Sequence, residues 1–310
     1  MSPFVTWLFS IMAAIMLFLH GLAAFSAEVT TLGGVKLRNW LQRVTSKDWQ
    51  GACFGASVTA LVQSSSAITA MAVGLAHNKT LSARGALSVM IGANVGTTLT
   101  AWLIAFKVTG LGPFFVTIGG LWSLAGPMTW RPYGKPLFYF GIIFLALDLI
   151  SQALAPLAHH PHIQEYQQAI NSPIFALLFA AFLTAMVQSS SVVSGLAVLA
   201  VLQQIIPASL AVWMIAGANV GTTSTALLAS SALDSFSRKL ALLNIGFNLL
   251  GVFLFATLLQ PIIHVILASD ISASQQVALV HTVFNLAAAT VALSILPVLW
   301  PRVSLWLNRP

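Results

Sequence analysis

Two polar motifs recur at one fixed offset in this chain, and that recurrence restricts its fold to two copies of one unit. Gln63-Ser64-Ser65-Ser66, preceded by Thr59, returns as Gln188-Ser189-Ser190-Ser191, preceded by Thr184. Gly92-Ala-Asn94-Val-Gly96-Thr97-Thr98 returns letter for letter as Gly217-Ala-Asn219-Val-Gly221-Thr222-Thr223. Both pairs lie 125 residues apart (188 − 63 and 219 − 94). A shared offset for two separate motifs marks a duplicated unit. Duplicated halves whose apolar segments are interrupted by polar and Gly-rich stretches at matching places point to a solute site between membrane helices.

The membrane follows from charge. Only 6% of the 310 residues are charged and 58% are hydrophobic, against about 25% charged in a soluble domain. Long apolar runs make the chain helical rather than a barrel. Its 13 basic residues exceed its 6 acidic ones, but they cluster at segment ends, where membrane topology explains them without a nucleic-acid partner. The single cysteine, Cys53, excludes an intramolecular disulfide. The first 25 residues carry no Lys or Arg and read as a retained helix, not a signal peptide.

A spanning helix needs about 20 apolar residues, and full spans are expected near 3–25, 85–106, 110–128, 136–157, 207–230, 240–266 and 277–300. Two apolar stretches remain, near 51–76 and 173–201, each with a Gln-Ser-Ser-Ser tetrad near its middle. On a lipid-facing span the tetrad's hydrogen bonds would go unmet. Each stretch therefore reads as a re-entrant hairpin with the tetrad at its tip.

With both hairpins in place, Lys36, Arg38, Arg43, Lys47, Lys79, Arg84, Arg131, Lys135, Arg238, Lys239, Arg302 and Arg309 share one side, and only Lys107 lies opposite. The positive-inside rule makes that side the cytoplasm. The N-terminus is then outside, the C-terminus is cytoplasmic, and the two hairpins enter from opposite faces. The expected fold is an all-α integral membrane protein of two inverted-topology repeats, 1–125 and 126–310. Segment 34–47 reads as an amphipathic surface helix, and Trp40, Trp49, Trp130 and Trp300 as interfacial anchors.

The tetrads offer hydroxyls, amides and backbone groups without fixed charge, and Asn94, Thr97 and Thr98 do likewise beside helix-relaxing glycines. Hydroxyl, amide and carbonyl oxygens are hard ligands that suit small hard cations. N–H groups at half-helix N-termini attract anions. No Lys or Arg is expected at tetrad depth, so a bound anion needs co-bound cations to offset its charge. Small-residue clusters also pack membrane helices. Repetition at one offset favours a site for the tetrads, whereas Thr59, Thr100, Thr184 and Thr225 at the cluster edges fit either role.

The paired tetrads, each followed by Gly-Ala-Asn-Val-Gly-Thr-Thr, resemble the sodium/phosphate cotransporter family (type II Na/Pi symporters) over nearly the whole chain, in a short form without a C-terminal regulatory domain. The resemblance implies sodium-coupled symport of inorganic phosphate across the cytoplasmic membrane, by alternating access around a midplane site formed by the two tips. It assigns substrate or Na+ contacts to Gln63, Ser64, Ser65, Ser66, Gln188, Ser189, Ser190 and Ser191. Asn94, Thr97, Thr98, Asn219, Thr222 and Thr223 form a second set. The family's His-x-x-Phe-Asn pattern fits His281 to Asn285, and Asn244 to Asn248 looks like its partner with Asn in place of His, which adds Asn248, His281 and Asn285. The implied partners are phosphate, Na+ as coupling ion, membrane lipid and a second copy in a homodimer, with no cofactor and no catalytic residue.

Asp148, inside an expected span, is a further candidate for a cation site or a proton path. His159, His160 and His162 beside Glu165 read as a loop cluster rather than a closed metal site. Two rival functions differ from phosphate symport. One is a Na+- or H+-coupled transporter of another divalent oxyanion or a dicarboxylate. The other is an intramembrane serine hydrolase using Ser57 and His281, which leaves the duplication unexplained.

Overall fold

The computed structural model describes residues 2–44, 47–158, 165, 172–231, 233–307 and 309; His159, His160 and His162 lie outside them. Apart from one 3₁₀ turn at Val108–Leu111, every element among the described residues is an α-helix. In chain order these are α1 (Pro3–Val44), α2 (Asp48–Val62), α3 (Ser65–His77), α4 (Ala83–Gly96), α5 (Thr98–Ala105), α6 (Gly112–Ala125), α7 (Arg131–Ala158), α8 (Pro173–Val187), α9 (Ser190–Leu202), α10 (Ala208–Gly221), α11 (Thr223–Ser231), α12 (Ser235–Thr257), α13 (Gln260–Leu267) and α14 (Ala273–Leu307).

Helix boundaries repeat with the motifs. α2, α3, α4 and α5 begin 125 residues before α8, α9, α10 and α11 (173 − 48, 190 − 65, 208 − 83, 223 − 98). Local chemistry sets these starts. The Ser82 hydroxyl accepts from Gly85 N–H and so caps α4. Ser172 caps α8 ahead of Pro173, whose missing N–H costs nothing at a first helical position.

Packing of the first short helix of each pair on the helix after the pair is also duplicated. A Cβ on Gly92 would lie 1.9 Å from the Ala52 carbonyl oxygen, and one on Gly217 2.0 Å from that of Leu177. α2 against α4, and α8 against α10, therefore touch backbone to backbone. The second short helix of each pair also packs on the other copy, α3 on α11 and α9 on α5. Each unit gives and receives the same contact, as in an isologous interface.

Five segments are long and apolar enough to cross a membrane: Phe4–Gly34, Ala83–Ala105, Arg131–Leu157, Ser235–Thr257 and Ala273–Leu307. Four expected spans differ. Segment 85–106 divides at Thr97 into α4 and α5, and 240–266 divides at Leu258 into α12 and α13. Segment 110–128 holds only the 14-residue α6, about 21 Å long at 1.5 Å per residue. It is clasped to α7, where a Cβ on Gly119 would lie 2.3 Å from Phe138 N. Segment 207–230 divides at Thr222 into α10 and α11. α1 leaves helical geometry at Gly34 (φ 39°, ψ −127°), where the surface helix was expected to begin. The apolar faces point outward, as with Phe175, Leu178, Phe182 and Met186 on α8, which suits lipid rather than water.

At one end of the bundle, Asp234 caps α12 by accepting from Ser237 N–H at 2.9 Å and lies 3.3 Å from His77 Nδ1 at the end of α3. The Ser237 hydroxyl and N–H, and then His77, hold its carboxyl below the usual aspartate range. A depressed folded value means the contribution is present above the unfolded pKa and is lost as pH falls through the folded one. Asp234→Ala is expected to cost about 1 kcal/mol at pH 7. That difference should shrink in acid, read by thermal unfolding of both proteins from pH 7 to pH 3.

Candidate functional site

Each tetrad forms the turn between two short helices. α2 ends at Val62, Gln63 takes the left-handed conformation (φ 57°, ψ 25°) with its N–H on the Thr59 carbonyl, and α3 starts at Ser65. Gln188 does the same (φ 60°, ψ 24°) on the Thr184 carbonyl before α9. A non-glycine residue rarely adopts this conformation, and holding it there costs about 1 kcal/mol or more. Side-chain bonds compensate. The Gln63 amide oxygen accepts from Thr100 Oγ1 at 2.6 Å, and its nitrogen donates to the Ala60 carbonyl. The Gln188 nitrogen donates to the Ala185 carbonyl and to Ser224 Oγ.

The two tips meet at a cavity of about 600 Å³. Ser64 and Ser66 come from one tip, Gln188 and Ser189 from the other, and Leu19 and Ser26 from α1. All of its lining residues are uncharged. Ser64 and Ser189 occupy the N-cap positions of α3 and α9, so both helix N-termini, with their partial positive charge, face this space. The caps differ. Ser64 Oγ accepts from Ala67 N–H at 3.2 Å, whereas the Ser189 hydroxyl makes no cap bond. Gln63, Ser65, Ser190 and Ser191 are buried behind the tips and do not line the cavity.

The second motif frames the tips from behind. The hydroxyls of Thr97, Thr98, Thr222 and Thr223 donate back to the carbonyls of Asn94, Val95, Ala218 and Val220. They thereby satisfy carbonyls where α4 and α10 break. Thr59 Oγ1 and Thr184 Oγ1, equivalent in the two copies, are buried without a partner among the described residues, as is Ser190 Oγ. Asn248 and Asn285 do not reach the tips; they accept from the Asn94 and Asn219 amides at 2.7 and 2.9 Å. Asp148 accepts from Gln152 one turn along α7 and lies outside the tip cavity. Ser57 is exposed on an outer groove while His281 is buried, and no bond joins them among the described residues, so they do not form a nucleophile and base.

Sequence reasoning missed Ser26, a lone buried serine on α1 with no repeated pattern to mark it. It also missed Asp48, which takes Arg84 in a fork (2.8 and 2.6 Å) and accepts from Ser88 Oγ. The equivalents of Asp48, Arg84 and Ser88 in the second copy are Pro173, Ser209 and Trp213, so the cluster leaves no duplicated signal.

The model of the Na+/Pi-cotransporter family matches residues 17–152 and 149–296. The chain belongs to that family. Its family is one of membrane phosphate transporters. Among similar proteins, YjbB of Salmonella typhimurium, whose name is "Putative inorganic phosphate export protein YjbB", is 29% identical over 283 residues, covering 90% of this chain and 52% of that one. YqeW of Bacillus subtilis is 27% identical, covering 91% and 92%. The human sodium-dependent phosphate transport protein 2B is 36% identical over 67 residues, 22% of this chain and 10% of that one. The chain spans about half the length of the YjbB proteins it matches. No solved structure matches it significantly.

Proposed function

We propose that the chain is a sodium-coupled symporter of inorganic phosphate in the cytoplasmic membrane, with its substrate held between the two hairpin tips. The observation that carries this reading is the tip cavity, an uncharged space where serines of both copies stand at two helix N-termini. Phosphate is an anion that such N-termini attract. With no basic side chain in the lining, Na+ bound to nearby amide and hydroxyl oxygens offsets its charge.

The units 1–125 and 126–310 are inverted repeats in this reading, and the paired short helices are re-entrant hairpins. Arm length supports it. α2 and α8 have 15 residues and α3 and α9 have 13, so no arm exceeds about 23 Å against a hydrocarbon core of about 30 Å. The reciprocal packing of α3 on α11 and α9 on α5 lets one unit rock or slide against the other around a fixed site.

The test is radiolabelled phosphate uptake into proteoliposomes under an inward Na+ gradient, against an equal K+ gradient. Uptake is expected only with Na+, and unlabelled phosphate should compete. Uptake that ignores Na+ but follows a proton gradient would replace the coupling ion. Competition by another divalent oxyanion or a dicarboxylate, but not by phosphate, would replace the substrate.

A further inference from the structure

α2 and α8 hold the same place in the two copies, yet their outward faces differ. On α8 that face is Ile174, Phe175, Leu178, Phe182 and Met186, all exposed. The positions 125 residues earlier, on α2, are Trp49, Gln50, Cys53, Ser57 and Leu61. Exposed Cys53 and Ser57, one helical turn apart, thus stand where the other copy has leucine and phenylalanine. Their small side chains leave room for a groove of about 680 Å³, with Val29, Gly33 and Trp40 of α1 as its other wall.

The groove is mostly apolar and has the length of a lipid chain. It follows α2 from Trp49 to Leu61, 12 residues (61 − 49), or about 18 Å at 1.5 Å per residue. One leaflet of hydrocarbon is about 15 Å deep, half of a core of about 30 Å. Trp40 and Trp49, 61% and 58% exposed, line it on either side of the connection from α1 to α2. Exposed tryptophans of this kind sit at the level of lipid headgroups. The same stretch of chain is basic. Between Glu28 and Asp48 it carries Lys36, Arg38, Arg43 and Lys47 and no acidic residue. Basic clusters next to a membrane helix attract anionic headgroups, by about 1 kcal/mol for each Lys or Arg. That charge disfavours a second copy as the occupant, because a self-complementary contact would set two such stretches against each other.

We propose that this groove binds one anionic phospholipid, with an acyl chain along α2 between Trp49 and Leu61 and the headgroup at the basic stretch 36–47. α2 runs straight into the left-handed turn at Gln63, so the lipid braces the first tip. α8 presents bulky side chains at the matching positions and leads to the second tip without that groove between Leu178 and Phe182. The inference is independent of which solute the tips hold.

The experiment is native mass spectrometry of the full chain in detergent, titrated with phosphatidylglycerol or with phosphatidylcholine. Wild type is expected to retain one phosphatidylglycerol saturably, and to need about tenfold or more phosphatidylcholine for the same occupancy. The double variant Cys53→Leu with Ser57→Phe gives α2 the bulk of α8 and should lose the retained lipid while its oligomeric state stays unchanged. The triple variant Lys36→Gln, Arg38→Gln and Arg43→Gln leaves the groove open and should hold both lipids alike, so a filled-groove variant that fails to fold leaves the test intact. Equal retention of the two lipids by wild type overturns the proposal. So does undiminished phosphatidylglycerol in the filled variant, for the lipid is then bound elsewhere on the surface. A wild-type dimer that becomes a monomer when the groove is filled assigns the groove to a second copy and overturns it as well.

Discussion

Ser189→Ala is expected to lower the proposed phosphate uptake about tenfold or more while leaving the unfolding temperature at its wild-type value. The Ser189 hydroxyl faces the tip cavity and makes no cap bond to α9, so the fold does not use it. A hydrogen bond to a charged group contributes about 1.5–3 kcal/mol, and its loss from a bound phosphate accounts for a tenfold to hundredfold effect. Ser64, at the same place in the other copy, behaves differently. Its oxygen caps α3 through Ala67 N–H and lies 3.2 Å from Ser66 Oγ, so Ser64→Ala is expected to lower uptake and also to cost about 1 kcal/mol of stability. Ser189→Leu should fill the cavity and abolish uptake. Uptake by each variant in proteoliposomes, paired with thermal unfolding, reads both quantities. Wild-type uptake by reconstituted Ser189→Leu would remove the tips from the substrate pathway.

The duplication was legible in the sequence because the motif residues are the ones that turn and break helices. Gln63 and Gln188 form the left-handed turns, and Thr97 and Thr222 follow the ends of α4 and α10. The motif offset is therefore also the offset of the helix boundaries. Hydropathy read the segment 110–128 as a full span because it cannot sense how closely a helix approaches its neighbour. There Gly112 and Gly119 let α6 lie against the α7 backbone. Which serine of each tetrad faces the cavity was not legible either. The left-handed turn sets the rotation of the helix behind it, and the tetrad's letters do not encode that rotation. Asn248 and Asn285 were visible as a pattern, yet their partners Asn94 and Asn219 lie 154 and 66 residues away, a pairing that only the packed units reveal.

Gly92→Ala and Gly217→Ala are expected to be strongly damaging single-methyl additions. The new Cβ would lie 1.9 Å from the Ala52 oxygen in one copy and 2.0 Å from the Leu177 oxygen in the other. Both obstacles are backbone, so no rotamer change relieves the clash, and each hairpin must move off its partner helix. Overpacking of this kind costs about 1–3 kcal/mol and more where backbone must shift. The displaced hairpin also carries its tip out of register with the opposite one, so uptake falls along with stability. Gly74→Ala and Gly246→Ala supply the contrast, for nothing lies within 4 Å of their added methyl groups. In a helix interior, alanine is favoured over glycine by about 1 kcal/mol, so these variants should unfold at or above the wild-type temperature. The comparison separates close packing from helix propensity, because all four changes add the same atom to a helix. Equal unfolding temperatures across the four would mean that α2 and α4, and α8 and α10, do not touch backbone to backbone. A loss confined to Gly92→Ala, sparing Gly217→Ala, would mean that the two copies are not packed alike.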